Sequence, residues 1–323
     1  MSTSPNQQSP IRIGSRGSKL ALWQANFIAE ELRAAGFATE IEIIRTTGDR
    51  MQQPGFVPPP DVDGKGIFIK EIEEALAEGR IDLAVHSLKD LPTQIAPRFT
   101  LAAIPHRADA RDAWVCEPFW SLNTLPLGGK VGTTSPRRKA QLWALRPDIE
   151  FVEVRGNIDT RLNKLAGGAC DALVLAAAGL DRLERTEWVH HRFSPLEVCP
   201  APGQGALAIE TRSSSHPIDE ERDRFIRKAL APLDHLETRY CVEAERIALD
   251  ALGGGCSLPI GAHCVPEYEK WRMFAQVVAS DGETMVQVDR EFPLSTDAET
   301  VGRTVADELK LRGALDLLSP TIM

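Results

Sequence analysis

A chain of 323 residues with 43% hydrophobic and 26% charged side chains has the makeup of an ordinary globular protein of two or three domains. No apolar run approaches the roughly 20 residues that a membrane-spanning helix needs, and a net charge of −9 argues against a general nucleic-acid binder. Met1–Pro10 is polar and uncharged, with neither the basic start nor the apolar stretch of a secretory signal, and reads as a short disordered tail of a cytoplasmic protein. The six cysteines are then expected as free thiols, Cys116 for example buried in the strand-like Ala113–Glu117. They form no C-x-x-C pair or zinc-type spacing, so no metal is expected.

Ile11–Gly14 opens the chain as a short strand. Leu20–Ala35 follows as a helix with Leu20, Trp23, Phe27, Ile28 and Leu32 on one face, and Gly36 stops it. Glu40–Thr46 alternates as a strand, Ile67–Glu78 is helical, and Ile81–Ser87 is the next strand. A second series begins near Ala113, with strands at Lys130–Thr134, Glu150–Arg155 and Ala172–Ala177 and helices after Ser135 and Asn157. Alternation of this kind predicts α/β architecture with largely parallel strands. Cys199–Gly205 breaks the pattern before a strand at Ala206–Glu210, and Thr211–Glu221 reads as a polar linker. A helix near Glu237–Ala251, a glycine run, strands at Arg272–Ala279 and Met285–Phe292 and a last helix over Ala298–Leu311 make a smaller α+β part. Three consecutive prolines, Pro58–Pro60, keep Met51–Asp63 out of regular structure, leaving a mobile lid or a disordered loop.

Arginines recur where strands give way to helices. In Gly132-Thr-Thr-Ser-Pro-Arg-Arg138, Ser135 suits an N-cap and Pro136 the first helical position, which puts Arg137 and Arg138 in the first turn. Cations are disfavoured there by the helix dipole, but with the free N–H groups they would make a strong anion site. Arg16, Arg155, Arg161 and Arg182 occupy similar junctions, and arginines converging beyond strand ends would suit a ligand with several carboxylates. Asp90, after the strand ending at His86 or Ser87, is a carboxylate among basic groups, able to stabilise a cation that forms on a substrate. His86 itself reads as a hydrogen-bonded core histidine rather than a base. Gly253-Gly-Gly-Cys256 suits neither helix nor packed strand and presents Cys256 on an open backbone, where attachment of a group is as plausible as turnover chemistry.

Together the motifs resemble the porphobilinogen deaminase (hydroxymethylbilane synthase) family from about Ile11 to the C-terminal helix. The carrying segments are Arg16–Gln24, Gly64–Glu71, Ala84–Pro92, Gly132–Arg138, Arg155–Asn157, Pro202–Gly205 and Gly254–Gly261. The resemblance implies two periplasmic-binding-protein-like α/β lobes with the active site between them, plus a small α+β C-terminal domain. Their expected bounds are 10–105 with 204–224, 106–203 and 225–323. It further implies a dipyrromethane cofactor, joined by a thioether to Cys256, on which four porphobilinogen molecules are condensed head to tail with loss of ammonia before hydrolysis releases hydroxymethylbilane. On this resemblance Asp90 is catalytic; Lys89, Ser87, Thr133, Ser135, Arg137, Arg138 and Gln204 hold the cofactor; Arg16, Ser18, Gln24, Lys65, Arg155, Arg161 and Arg182 bind substrate, Lys65 from the lid. No metal, membrane or nucleic-acid partner is implied, and a monomer is. Gly253 and Thr134 depart from residues common in the family, as does the Pro-rich Met51–Asp63 segment.

Two rivals share part of this pattern. A two-lobed binder of a polyanion explains the arginines but not Cys256 on its glycine-rich loop. A different cysteine-dependent transferase is distinguished by whether Cys256 carries pyrroles or a transient acyl group.

Overall fold

The computed structural model describes residues 9–47, 69–116, 119, 121–255 and 258–318. They pack as two compact units: the first runs through Arg107 and resumes over Ala206–Arg239, and the second takes Ala108–Gly205 and everything described from Tyr240 onward.

In the first unit β1 (Ile11–Ser15), β2 (Thr39–Ile43) and β3 (Leu83–Ser87) run parallel. β10 (Leu207–Arg212) is antiparallel to both β3 and β4 (Phe99–Ala103), giving the order β2-β1-β3-β10-β4. Helix α1 (Lys19–Ala34) starts because Ser18 Oγ accepts the Ala21 N–H at 3.3 Å. Its stripe Ala25, Ile28, Ala29 and Leu32 covers one face of the sheet, against Ile11, Ile13, Leu83 and Val85. Helix α2 (Lys70–Ala77) covers the other face, where Ile72, Ala75 and Leu76 meet Ile81, Ala84 and Phe99. Strand alternation sends Leu83 and Val85 one way and Ala84 the other.

The segment read as a linker is ordered at both ends. Thr211 and Arg212 belong to β10, and Glu220 opens a helix, α6 (Glu220–Leu230). Arg212 is buried, donating to Asp223 and to the carbonyls of Leu76 and Ile81, while Asp219 caps α6 through the Arg222 N–H. Ile226, Ala229 and Leu230 then enter the core beneath α1. The chain from 225 to 239 therefore groups with the first unit.

The second unit repeats the sheet plan with order β7-β6-β8-β5-β9. β6 (Lys130–Gly132), β7 (Glu150–Val152) and β8 (Ala172–Ala176) are parallel, while β5 (Asp112–Val115) is antiparallel to β8 and to β9 (Val189–Arg192). Each sheet is thus parallel over only three strands, because its fourth, β5 or β10, follows no βαβ crossover. Helices α3 (Pro136–Leu145), α4 (Ile158–Ala166) and α5 (Ala177–Arg182) follow β6, β7 and β8. The C-terminal part is an antiparallel sheet of β11 (Ile260–Glu267), β12 (Lys270–Val278) and β13 (Met285–Pro293), with α7 (Leu236–Ala251), α8 (Ala298–Leu311) and α9 (Ala314–Leu318). Its core joins Ala244, Ala248 and Leu252 to Ala262, Met273, Val277, Val301, Val305 and Leu309.

β11 lies so close to the segment after β9 that Ala262 N donates to Pro200 O at 3.0 Å. A Cβ on Gly261 would meet Cys199 Cβ at 2.6 Å and Cys199 O at 2.8 Å. Gly261→Ala is therefore expected to lower unfolding free energy by about 1–3 kcal/mol, as overpacking does. The urea midpoint measures it; an unchanged midpoint means that Cys199 moves aside without cost.

Candidate functional site

In the first unit, β3 ends at Ser87 and a 3-10 turn, Leu88–Asp90, carries the chain outward. Leu88 is buried and anchors the turn, which leaves Asp90 exposed at its end. Asp90 lines a pocket of about 90 Å³ together with Arg16, Ser18, Gln24, His86 and Ser87, floored by Ile69, Ile72 and Val85. Gln24 is buried and donates from Nε2 to Ser87 Oγ at 2.9 Å, while Ser18 serves as the cap of α1. Lys89 is half-buried beside Asp90 in the same turn. Five residues singled out from sequence meet here, at the carboxyl end of parallel strands where such sheets bind ligands.

In the second unit the local reading of α3 holds: Ser135 Oγ accepts the Arg138 N–H at 3.4 Å, Pro136 follows at the first helical position, and Thr133 Oγ1 accepts from Ser135 N. The side chains of Arg137 and Arg138 point inward, 4% and 7% exposed. They converge on Asp112, a fully buried carboxylate at the start of β5 that the sequence reading passes over. Arg137 Nη2 reaches Asp112 Oδ2 at 2.7 Å, and Arg138 Nε and Nη2 reach Oδ1 at 3.1 and 2.7 Å. Gln204 Nε2 adds a bond to Oδ1 at 2.9 Å, and Arg137 Nη1 donates to Cys199 O. Burial opposes ionisation of Asp112, but the attraction of Arg137 and Arg138 outweighs it and holds the carboxyl far below the usual range. Two guanidinium groups share one carboxylate, so the cluster keeps a net positive charge, and Arg138 Nη1 has no bond to another described residue.

Removing the shared carboxylate strands two buried cations. Asp112→Asn is expected to cost about 3–5 kcal/mol, read by urea unfolding at neutral pH. Because the folded-state value of Asp112 is depressed, its contribution is complete above the unfolded carboxyl value of about 4 and is lost as pH falls through the folded value. The gap between parent and Asp112→Asn should therefore close in acid; a gap constant with pH contradicts the assignment.

The other arginines hold the loops they sit on. Arg155 is exposed and pairs with Glu153 at 3.1 Å, Arg161 Nε donates to Gly156 O at 2.8 Å, and Arg182 Nη2 donates to Gly205 O at 2.7 Å. Burial brings the Arg182 guanidinium down to about 10, so it remains a cation at neutral pH. Lys65 and the Pro-rich 51–63 segment lie outside the described residues, as does Cys256. The chain reaches Cys256 through Gly253, Gly254 and Gly255, whose φ angles of 103°, 53° and 141° all lie where glycine is favoured. Cys116, Cys170, Cys199, Cys241 and Cys264 are buried.

Two family models match the chain: porphobilinogen deaminase, dipyromethane cofactor binding domain, over residues 11–220, and porphobilinogen deaminase, C-terminal domain, over residues 239–311. A porphobilinogen deaminase of Acidothermus cellulolyticus is 46% identical over 310 residues, covering 96% of this chain and 91% of that one. One of Roseiflexus castenholzii is 43% identical over 311 residues, covering 96% and 98%. The chain belongs to the porphobilinogen deaminase family. It is a transferase that condenses porphobilinogen to hydroxymethylbilane in tetrapyrrole biosynthesis, and its cofactor is dipyrromethane. Among solved structures, a nutrient-binding protein from Burkholderia cenocepacia bound to methionine is similar only distantly, with TM-score 0.41 and 13% identity over 69% of this chain and 92% of that one. No helix among the described residues is long and apolar enough to cross a membrane, and no three of their metal-binding side chains cluster.

The donor chemistry fits the cofactor. Pyrroles bearing acetate and propionate need cations and hydroxyls, and the Asp112 cluster keeps an uncompensated guanidinium beside the hydroxyls of Thr133 and Ser135.

Proposed function

We propose that Cys256 carries the dipyrromethane cofactor and that Asp90 is the catalytic carboxylate, with the arginines holding the side-chain acids of the pyrroles. When bound, dipyrromethane supplies the pyrrole α-carbon on which the chain is extended. The observation that carries the reading is Asp90 itself: an exposed carboxylate on a 3-10 turn anchored by buried Leu88, in a pocket with Arg16, Gln24 and Ser87. A carboxylate there accepts the N–H of a substrate pyrrole and stabilises the positive charge that develops as ammonia leaves. Arg16, which lines the pocket, pairs with a substrate carboxylate, and Gln24, fixed by Ser87, orients the ring. Arg137, Arg138, Thr133, Ser135 and Gln204 hold cofactor carboxylates with Lys89 and Ser87 assisting; Arg155, Arg161 and Arg182 take those of incoming rings, as does Lys65. The family resemblance supports a cytoplasmic enzyme and a monomer, the latter tested by light scattering against the 35.5 kDa chain mass.

Arg138→Leu removes the guanidinium with a spare N–H while Arg137 still holds Asp112. Primer occupancy, read by intact mass, is expected to fall severalfold or elongation to stall at a defined ring number. Unchanged occupancy together with unchanged rates at every addition counts against the carboxylate role.

A further inference from the structure

His86 lines the pocket of Asp90, yet its ring is tied to a group that plays no part in the scheme above. Nε2 lies 3.1 Å from Oε2 of Glu210 on the neighbouring strand β10; the two side chains are 8% and 0% exposed. The carboxylates of Asp82 and Asp112 are each clasped by arginines. Glu210 differs: its ion-pair partner among the described residues is His86, and its Oε1 is buried without a hydrogen bond. A carboxylate so placed accepts the Nε2–H, and a neutral imidazole that donates from Nε2 keeps its lone pair on Nδ1. Nδ1 has no partner among the described residues, and His86 is one of the residues that line the pocket. The other charged groups facing the pair are Glu73 on α2, Arg98 just before β4, and Asp90 and Arg16 across the pocket. Burial and the charge of Glu210 push the Glu73 carboxyl up.

We propose that His86, held by Glu210, accepts the proton released in each condensation. In that reaction the substrate's carbon–nitrogen bond breaks and its electron pair leaves with ammonia. A carbon–carbon bond forms from the substrate's methylene carbon to the α-carbon of the acceptor pyrrole. The hydrogen on that α-carbon then departs as a proton, restoring the aromatic ring. Asp90 must remain an anion to stabilise the developing cation, which unsuits it to keep this proton. Nδ1 of His86 takes it, the imidazolium rests against the Glu210 carboxylate, and the proton passes to the departing ammonia, which leaves as ammonium. This role rests on the assignment of the Asp90 pocket as the reaction site.

His86→Gln tests it, since glutamine can keep an N–H directed at Glu210 but offers no base. Measured on the fraction of purified variant that carries its primer by intact mass, KM should be little changed and kcat reduced about 10²–10⁴-fold, the range of general-base effects. Porphobilinogen deuterated at its free α-carbon should then show a larger isotope effect with the variant than with the parent. Independently of turnover and of any variant's folding, 15N spectra of the parent protein should show Nδ1 of neutral His86 as the unprotonated nitrogen and Nε2 as the protonated one. A proton on Nδ1 overturns the proposal, as does His86→Gln with near-parent kcat and no added isotope effect. Asp90→Asn separates the two readings. Full turnover in that variant removes the pocket assignment, whereas an inactive Asp90→Asn beside an unimpaired His86→Gln removes only the role of His86.

Discussion

Cys256→Ser protein is expected to purify at the mass of the bare chain, to stay unloaded when given porphobilinogen, and to make no hydroxymethylbilane. A thioether forms from a thiolate, and a serine hydroxyl offers no comparable nucleophile at neutral pH. No other cysteine can substitute: Cys116, Cys170, Cys199, Cys241 and Cys264 are all at most 4% exposed. Burial raises the Cys170 thiol to about 11, which keeps it protonated as well as hidden. Intact-mass measurement of parent and variant, followed by peptide mapping, decides the matter. Two linked pyrroles on the peptide containing Cys256, absent from the variant, establish the attachment; the same mass on another peptide, or retained by the serine variant, ends it.

Asp90→Asn is expected to reduce kcat by at least about 10²–10³-fold, the usual consequence of removing a preorganised stabiliser of transition-state charge. Its stability should stay within about 0.5 kcal/mol of the parent, because the side chain is exposed and the turn is anchored by Leu88. That separation of activity from stability is the informative result. It is read by thermal unfolding alongside single-turnover formation of covalent enzyme–substrate complexes. Substantial turnover with an unchanged melting curve contradicts the central role of Asp90; loss of both at once would make the residue structural.

Most of the local architecture is legible residue by residue. Ser18 and Ser135 cap the helices that the sequence places after them, Pro136 takes the first helical position, and the glycines at 253–255 break the chain beyond α7. Periodicity identifies α1, α8, β12 and β13 to within a residue or two, since each buries one face and carries the 3.6- or 2-residue pattern of that burial. It fails for α6, whose high charge hides three buried apolar residues, and for β4, β9 and β11, which pass without a clear alternation. The family and its chemistry are legible for the same reason as the caps: short motifs at strand ends must keep their order to build the site.

What the sequence leaves open is where charged side chains turn once the sheets form. Arg137 and Arg138 are expected at a helix start, but nothing near them announces that they fold inward onto Asp112, 25 and 26 residues earlier. The antiparallel insertion of β5 beside β8 brings that carboxylate to them. His86 meets Glu210 across 124 residues because β10 pairs with β3 in a register that sets Ala208 opposite His86 and leaves Glu210 one pleat further on the same face. Local patterns determine helix starts, turns and the presence of arginines, since those depend on neighbours in the chain. Charge pairing depends on register between distant strands, and only the tertiary structure supplies it.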